Sequence, residues 1–361
     1  MHTFLYPSQD STIYNDYVDQ NSGKDEILEI SKTFVSSSRL SEPYYSRALL
    51  KFDLNWISQS IEAGTIGSEK FYLNLKLAWG SDVVTNPTNL YIYPVSQSWV
   101  EGFGKRLDTT IRTTGTSWIY RDSEVTSSWN QSGADYISSS IYEVTASMFE
   151  NENTFQENGN YIYELADIRA DVTDIVKGWL SGSIENHGFI IKRSIDMEQD
   201  AIDRGKLNFY SMDSHTINIP KLEILWDDYS YNTGSSTEID LDDAFVYVKN
   251  LHSVYNNRSK TRIRIGSREA YPTRSFATSN PYTISKHLPS ESYYSIKDAS
   301  TEETLIPFGG YSKISCDSNG NYFDMHMDGF FPERYYRIEI KSVSSSIEEF
   351  YDDNYKFKVV R

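Results

Sequence analysis

Hydrophobic and polar positions alternate with a period of two along most of the chain, in short runs broken by turn residues. In "KFYLNLKLAW" (70–79), Phe71, Leu73, Leu75 and Leu77 alternate with Tyr72, Asn74 and Lys76, so one face is buried and the other wet. "EILEIS" (26–31), "SRALLKFDL" (46–54), "TNLYIYPV" (88–95), "HGFIIKR" (187–193) and "PKLEILW" (220–226) read as further strands, with Pro43, Pro87, Pro94 and Gly80 marking turns. One stretch keeps a different period. In "DVTDIVKGWLSG" (171–182), Val172, Ile175, Val176, Trp179 and Leu180 share one helical face, which predicts a helix over 172–181 with its apolar side in a core. Asp171 or Thr173 can cap its start, and Gly182 can end it.

A second region of alternation holds "AFVYVKNL" (244–251), "TRIRIGSRE" (261–269), "YYSIKD" (293–298), "SKISC" (312–316), "NYFDMHM" (321–327), "YYRIEIKS" (335–342) and "NYKFKVV" (354–360). That number of strands over that length fits an immunoglobulin-like sandwich. Between the two regions, 227–243 is polar and acidic and contains Gly-Ser-Ser, the composition of a linker. The expectation is an all-β chain. It has a jelly-roll sandwich with one short amphipathic helix over 1–228, a linker at 229–243, and an immunoglobulin/fibronectin-III-like β-sandwich over 244–361.

Composition narrows the partners. The 361 residues include 28 Tyr, 17 Phe and 7 Trp, so real cores are affordable although only 39% of residues are hydrophobic. A net charge of −17 argues against phosphate backbones and anionic membrane surfaces, and no nucleic-acid partner is expected. No apolar run approaches the ~18 residues of a bilayer span, so no membrane insertion is expected. "MHTFLYPSQD" has neither the basic nor the apolar part of a secretory signal, which points to synthesis in the cytoplasm. The single Cys316 excludes an internal disulfide and a cysteine zinc site, and reads as a small buried residue.

Candidate chemistry is sparse. There is no phosphate-binding glycine loop, no nucleophile elbow and no His-Glu-x-x-His, and the six His are not spaced as a local metal pair. Neither an enzyme nor a cofactor or metal is expected. "DLDD" (240–243) and "YDDN" (351–354) read as solvated charge, and "DSNGN" (317–321) as a hairpin turn. Glu164, Asp167 and Asp171 have no spacing that sets them apart as glycosidase carboxylates. The loops holding Trp99, Trp118 and Tyr120, with Arg121 and Asp122 alongside, allow two readings. Their rings stack on a glycan, or they pack beneath long loops of the sandwich; packing is the favoured one.

Taken in order, "SRALLKFDL", "KFYLNLKLAW", "SQSWVEGFGKRLD" (96–108), "DVTDIVKGWLSGSIENHGFIIKRS" (171–194) and "LNFYSMDSHTINIPKLEILW" (207–226) resemble DNRLRE-type modules over roughly residues 10–228. These are jelly rolls similar to the TGF-β propeptide fold and to some carbohydrate-binding modules. The Asp171–Trp179–Gly188–Phe189 and Phe209–Ser211–Pro220–Leu222 portions carry most of the resemblance. It implies a helix that closes one end of the jelly roll, with Val172, Ile175, Val176, Trp179 and Leu180 supporting the fold. A looser resemblance covers both regions. "MHTFLYPSQDSTIYN" (1–15), "GTSWIYRD" (115–122), "IPFGGYSKISCDSNGNYF" (306–323) and "FPERYYRIEI" (331–340) look like virion proteins of large tailed bacteriophages. That resemblance implies a non-enzymatic structural protein of the neck, tail, baseplate or capsid surface, contacting other virion proteins in a ring or array. A host surface glycan is a further partner such a protein could touch; the alternative is a carbohydrate-binding module of a cell-surface or secreted glycan-active protein.

Overall fold

The computed structural model describes the chain except residues 35–42, 82–87, 109–113, 158–159, 166, 274–279 and 345–346, with the side chains of 149–157, 160–165 and 283 also outside the description. The chain is all-β and divides into two compact units. One comprises Leu5–Gln59 and Lys70–Glu223; the other comprises Met1–Phe4, Ser60–Glu69 and Ile224–Arg361. The expected boundary at 228 therefore misses two short segments. Phe4 joins the core of the C-terminal unit, and Gly329 lies so close to Thr3 and Phe4 that a Cβ there would sit 2.8 Å from the Thr3 hydroxyl.

The chain runs through β1 (His2–Leu5), β2 (Pro7–Tyr14), β3 (Ile27–Thr33), β4 (Tyr44–Phe52), α1 (Asn55–Glu62), β5 (Lys70–Leu75), β6 (Leu77–Gly80), β7 (Asn89–Pro94), β8 (Tyr120–Asp122) and β9 (Ser127–Ser128). It continues with β10 (Val144–Ser147), β11 (Phe149–Glu157), β12 (Asn160–Leu165), β13 (Ile168–Asp171), α2 (Thr173–Leu180), β14 (Phe189–Lys192), α3 (Ile195–Gln199), β15 (Gly205–Tyr210) and β16 (Lys221–Leu225). The large sheet of the N-terminal unit has the order β10-β7-β14-β4-β3-β15-β6, with β2 also paired to β4. Opposite it, β5 pairs with β13. Alternating residues of both layers, among them Leu28, Ile30, Phe71, Leu73, Ile191, Leu207 and Phe209, are buried as the inner faces of a jelly-roll-like sandwich.

The run 70–79, read from the sequence as one strand, is two. β5 ends at Leu75, and β6 pairs with β15 in the other sheet. The crossing at Lys76 is fixed by Tyr210 N–H donating to its carbonyl at 3.2 Å, and by Asp167 accepting from Leu77 N–H at 2.8 Å. Strands that change sheets in this way form the corners of sandwiches.

The helix α2 lies where the periodicity puts it. Asp171 accepts from Thr173 N–H at 3.0 Å at its start, and Gly182, at φ +72°, ends it in the left-handed region. Val172, Ile175 and Val176 are fully buried, and the Trp179 ring lies 4.6 Å from that of Phe189. It is not the only helix. Among the described residues α1 and α3 join it, each short, with Asp53 accepting from Asn55 N–H before α1 and Ser194 capping α3 at 3.2 Å. α1 buries only Ile57 and α3 has five residues, so neither shows an apolar face as broad as that of α2.

The outer face of the large sheet is covered at its centre. Ile13, Leu49 and Ile190 point away from the inter-sheet core and meet Trp99, Trp118, Trp129 and Ala134 from the long connection after β7. This second cluster includes no residue of β3, β15 or β6 and leaves that end of the same face open.

The C-terminal unit holds β17 (Ala244–Val248), β18 (Val254–Asn256), β19 (Lys260–Glu269), β20 (Glu291–Asp298), β21 (Thr304–Ile306), β22 (Ser315–Asp317), β23 (Gly320–His326), β24 (Tyr335–Ser344) and β25 (Ile347–Val360). One sheet has the order β17-β19-β23-β22 and the other β18-β25-β24-β20-β21. With β18 and β21 set aside as edge strands of the second sheet, this is immunoglobulin topology: first, second, fifth and fourth against third, sixth and seventh. β18 extends the second sheet by pairing in parallel with β25. In place of an inter-sheet disulfide the core is filled by Ile263, Ile265, Ile338 and Ile340, with Tyr294 stacked on Phe323 at 4.0 Å. Cys316 is buried and free, and burial pushes its thiol pKa up. "DSNGN" is the expected hairpin turn, with Gly320 at φ +105°.

Residues 229–243 are not a free linker. Tyr231 bridges to Cys316, Ile239 N–H donates to the His287 carbonyl at 2.9 Å, and Ile239 and Leu241 belong to the core. Two apolar residues in a polar segment are enough to seat it. A second detail is the corner before β24, where the Tyr336 hydroxyl donates to the Phe331 carbonyl at 2.9 Å, the tyrosine corner of this fold. Tyr336→Phe keeps the ring and loses that bond, with an expected cost of ~1 kcal/mol in urea unfolding. An unchanged midpoint would show that the corner is held by ring packing alone.

Candidate functional site

The aromatic loops singled out in the sequence are interior. Trp99 is 3% exposed and donates from Nε1 to the His187 carbonyl at 2.8 Å. Trp118 is 7% exposed, with Tyr45 edge-on at 5.3 Å and the Arg47 guanidinium 4.9 Å over its ring. Tyr120, Arg121 and Asp122 form β8 and are half-buried; Arg121 binds the Ser98 carbonyl and hydroxyl, and Asp122 accepts from Glu124 N–H. A glycan needs a free ring face, and Trp99 and Trp118 have none. The reason is that their loops fold back on Leu49 and Ile190 of the sheet. Asp171 accepts from Thr173 N–H just ahead of α2, Asp167 pairs with Lys76 at 2.9 Å, and the Glu164 side chain lies outside the described residues.

Those same loops make a rigid end to the unit. Asn21 is fully buried, and its Nδ2 donates to the carbonyls of Glu101 and Thr116, each at 2.7 Å. Its Oδ1 accepts from Gly104 N–H at 2.7 Å. One side chain thus ties the β2–β3 loop to two stretches of the β7–β8 connection. The glycines allow the approach: Gly102 and Gly115 sit at φ +84° and +81°, and a Cβ on either would meet backbone within 2.4 Å. Outward from this knot stand Tyr17, Val18, Val100, Phe103 (73% exposed) and Leu107 (91% exposed).

Beside the knot, Asp10, Glu101 and Asp213 each bring a carboxylate oxygen to within 4.8 Å of the others. Lys24 supplies the counter-charge, at 3.0 Å from Glu101 and 3.1 Å from Asp213. Asp10 is 1% exposed and accepts from Met212 N–H at 2.6 Å; burial pushes its pKa up to about 8. With the Lys24 ammonium already between them, Glu101 and Asp213 form an ion-pair network, and Asp10 keeps its proton beside it.

The third place is the open end of the large sheet's outer face. Asn208 on β15 pairs in register with Glu29 on β3 and with Trp79 on β6, so the three side chains stand in a row across three strands. They line a cleft of about 440 Å³, walled on its far side by Lys105, Arg106 and Leu107. Arg106 binds Glu29 at 3.0 Å and stacks 4.0 Å from the Tyr14 ring, and Lys206 reaches Glu29 at 3.3 Å. Trp79 is 53% exposed, while Asn208 is 1% exposed with Nδ2 buried and without a hydrogen-bond partner. The sequence did not point here. Alternation from Phe71 places Trp79 on the buried face; the β-bulge at Ala78, which sets Leu77 opposite Phe209 but Trp79 opposite Asn208, is what frees its ring.

Searches against protein-family models and against curated proteins give no match to this chain, so the site is read from its own geometry.

Proposed function

We propose that this chain is a non-enzymatic structural protein of a tailed-bacteriophage virion, a neck, tail, baseplate or capsid-surface accessory that acts through contacts with other virion proteins in a symmetric ring or array. Its N-terminal unit is read as a DNRLRE-type jelly roll. The observation that carries the reading is the loop end knotted by Asn21. Exposed Val100, Phe103 and Leu107 on a backbone fixed by buried hydrogen bonds form a pre-organised apolar contact surface. The resemblance of both units to virion proteins supplies the setting, and the protein would be made in the host cytoplasm and end in the particle.

Mass spectrometry of purified particles tests the setting, and its absence from them ends the virion reading. Phe103→Asp tests the surface: the variant is expected to melt like the wild type and to fall at least tenfold in particle incorporation. Incorporation at the wild-type level would remove the loop end from the assembly. A second reading, a carbohydrate-binding module, is favoured by one observation, the exposed Trp79 beside the orphaned Asn208 amide.

A further inference from the structure

We propose that the cleft across β3, β15 and β6 binds a neutral pyranose unit of a glycan, with Trp79 as the stacking platform and the Asn208 amide as the buried donor that selects it. The inference rests on the second reading above and gives it a site. Its size falls within the range of small-molecule sites, roughly 300–1,000 Å³. Buried polar groups in folded proteins nearly always have a partner, so a fully buried N–H lacking one at the floor of an open cleft marks a place where an acceptor oxygen belongs. A sugar hydroxyl supplies that oxygen and can donate its own proton onward to Glu29 or Asp25.

Charge decides between sugar and anion. Asp25, Glu26 and Glu29 are offset by Lys105, Arg106 and Lys206, and Arg106 and Lys206 are both already engaged with Glu29. No unpaired cation waits for a phosphate or a sugar acid among these residues. The half-exposed indole of Trp79 offers a flat apolar surface to the C–H face of a pyranose, the type of contact that uses an aromatic body with wet surroundings. Rigidity comes from the sheet itself: the three residues are held in ladder register, and Thr12 Oγ accepts from Glu29 N–H at 3.1 Å. A site built on strands is more precise than one built on loops.

The experiment uses the full chain on an array of neutral and acidic oligosaccharides, with inorganic phosphate as a separate probe, and two variants. Trp79→Ala removes an exposed ring and is expected to leave the melting temperature unchanged while weakening neutral-glycan binding at least tenfold. Asn208→Leu removes the orphaned amide and is expected to melt at or above the wild-type temperature with binding lost. If the wild type binds neutral glycans and both variants bind equally well, the cleft is wrong and the glycan reading survives elsewhere on the surface. If the wild type binds no glycan on the array, the carbohydrate reading falls and this site with it. Binding confined to acidic sugars or phosphate would overturn the neutral class.

Discussion

Replacing Glu198 by alanine is expected to destabilise the N-terminal unit by about 3–5 kcal/mol, the usual cost of breaking a buried ion pair from one side. Glu198 on α3 is 2% exposed and accepts from Arg47 Nε at 3.0 Å and Nη2 at 2.7 Å. Lys192, itself 1% exposed, completes the triad at 3.2 Å. Arg47 also donates to the Gly133 carbonyl at 2.6 Å and lies over Trp118, so it cannot swing out to water without unseating the loops above the sheet. Without the carboxylate, two cations stay buried and unpaired. Burial already holds Lys192 down to about 8, below its free value. In the variant the loss of Glu198, whose charge raises the Lys192 pKa, lets Lys192 give up its proton below 8, so the deficit should narrow as pH rises toward 8 and hold steady above it. Urea unfolding at pH 7 and pH 9 measures both effects; a loss under ~1 kcal/mol at pH 7 would mean that water reaches the triad.

Asp10→Asn is expected to do the opposite: it should stabilise the protein at pH 8 and flatten its pH dependence. In the folded chain Asp10 keeps its proton to about 8, whereas an unfolded Asp releases it near 3.9. Between those values the folded state holds a proton that the unfolded state has lost, so stability falls as pH rises through this window and is at its lowest above 8. At about 1.4 kcal/mol per pH unit, the rise from the ordinary value to about 8 amounts to roughly 6 kcal/mol. Asn keeps an acceptor for Met212 N–H and does not ionise. Asp298 works in the other sense but lower on the scale. Despite burial, Arg334 at 2.6 Å and the N–H groups of Ser300 and Thr301 hold it near 2, so its stabilisation is lost only in strong acid. Parallel slopes for wild type and Asp10→Asn between pH 5 and 8 would refute the assignment.

Local pattern carried much of the architecture. The α2 face, the hairpin at 317–321 and the strands of the C-terminal unit were legible because burial on one side of a helix or strand imposes a period on neighbouring residues. What was not legible is non-local. The row Glu29–Asn208–Trp79 exists only through the register of strands far apart in sequence, and the parity of Trp79 is reversed by a β-bulge at Ala78 that no local pattern advertises. Trp99 and Trp118 looked like loop residues, and they are, but the loops lie on a sheet face already bearing Ile190 and Leu49. Residues 229–243 have a linker's composition, yet Ile239 and Leu241 find an apolar cavity that no local window could show.

The parallel pairing of β18 with β25 has a mechanical meaning. Because the two strands run the same way, pulling the chain before β18 and the chain after β25 in opposite directions drags one strand along the other. The backbone bonds of Val254, Tyr255 and Asn256 with Lys358, Val359 and Val360 then bear the load together and in shear, instead of opening one after another from an end. Forced unfolding is governed by the rate of crossing that barrier, not by equilibrium stability. A domain clamped in this way holds under brief tension even when its thermodynamic margin is ordinary.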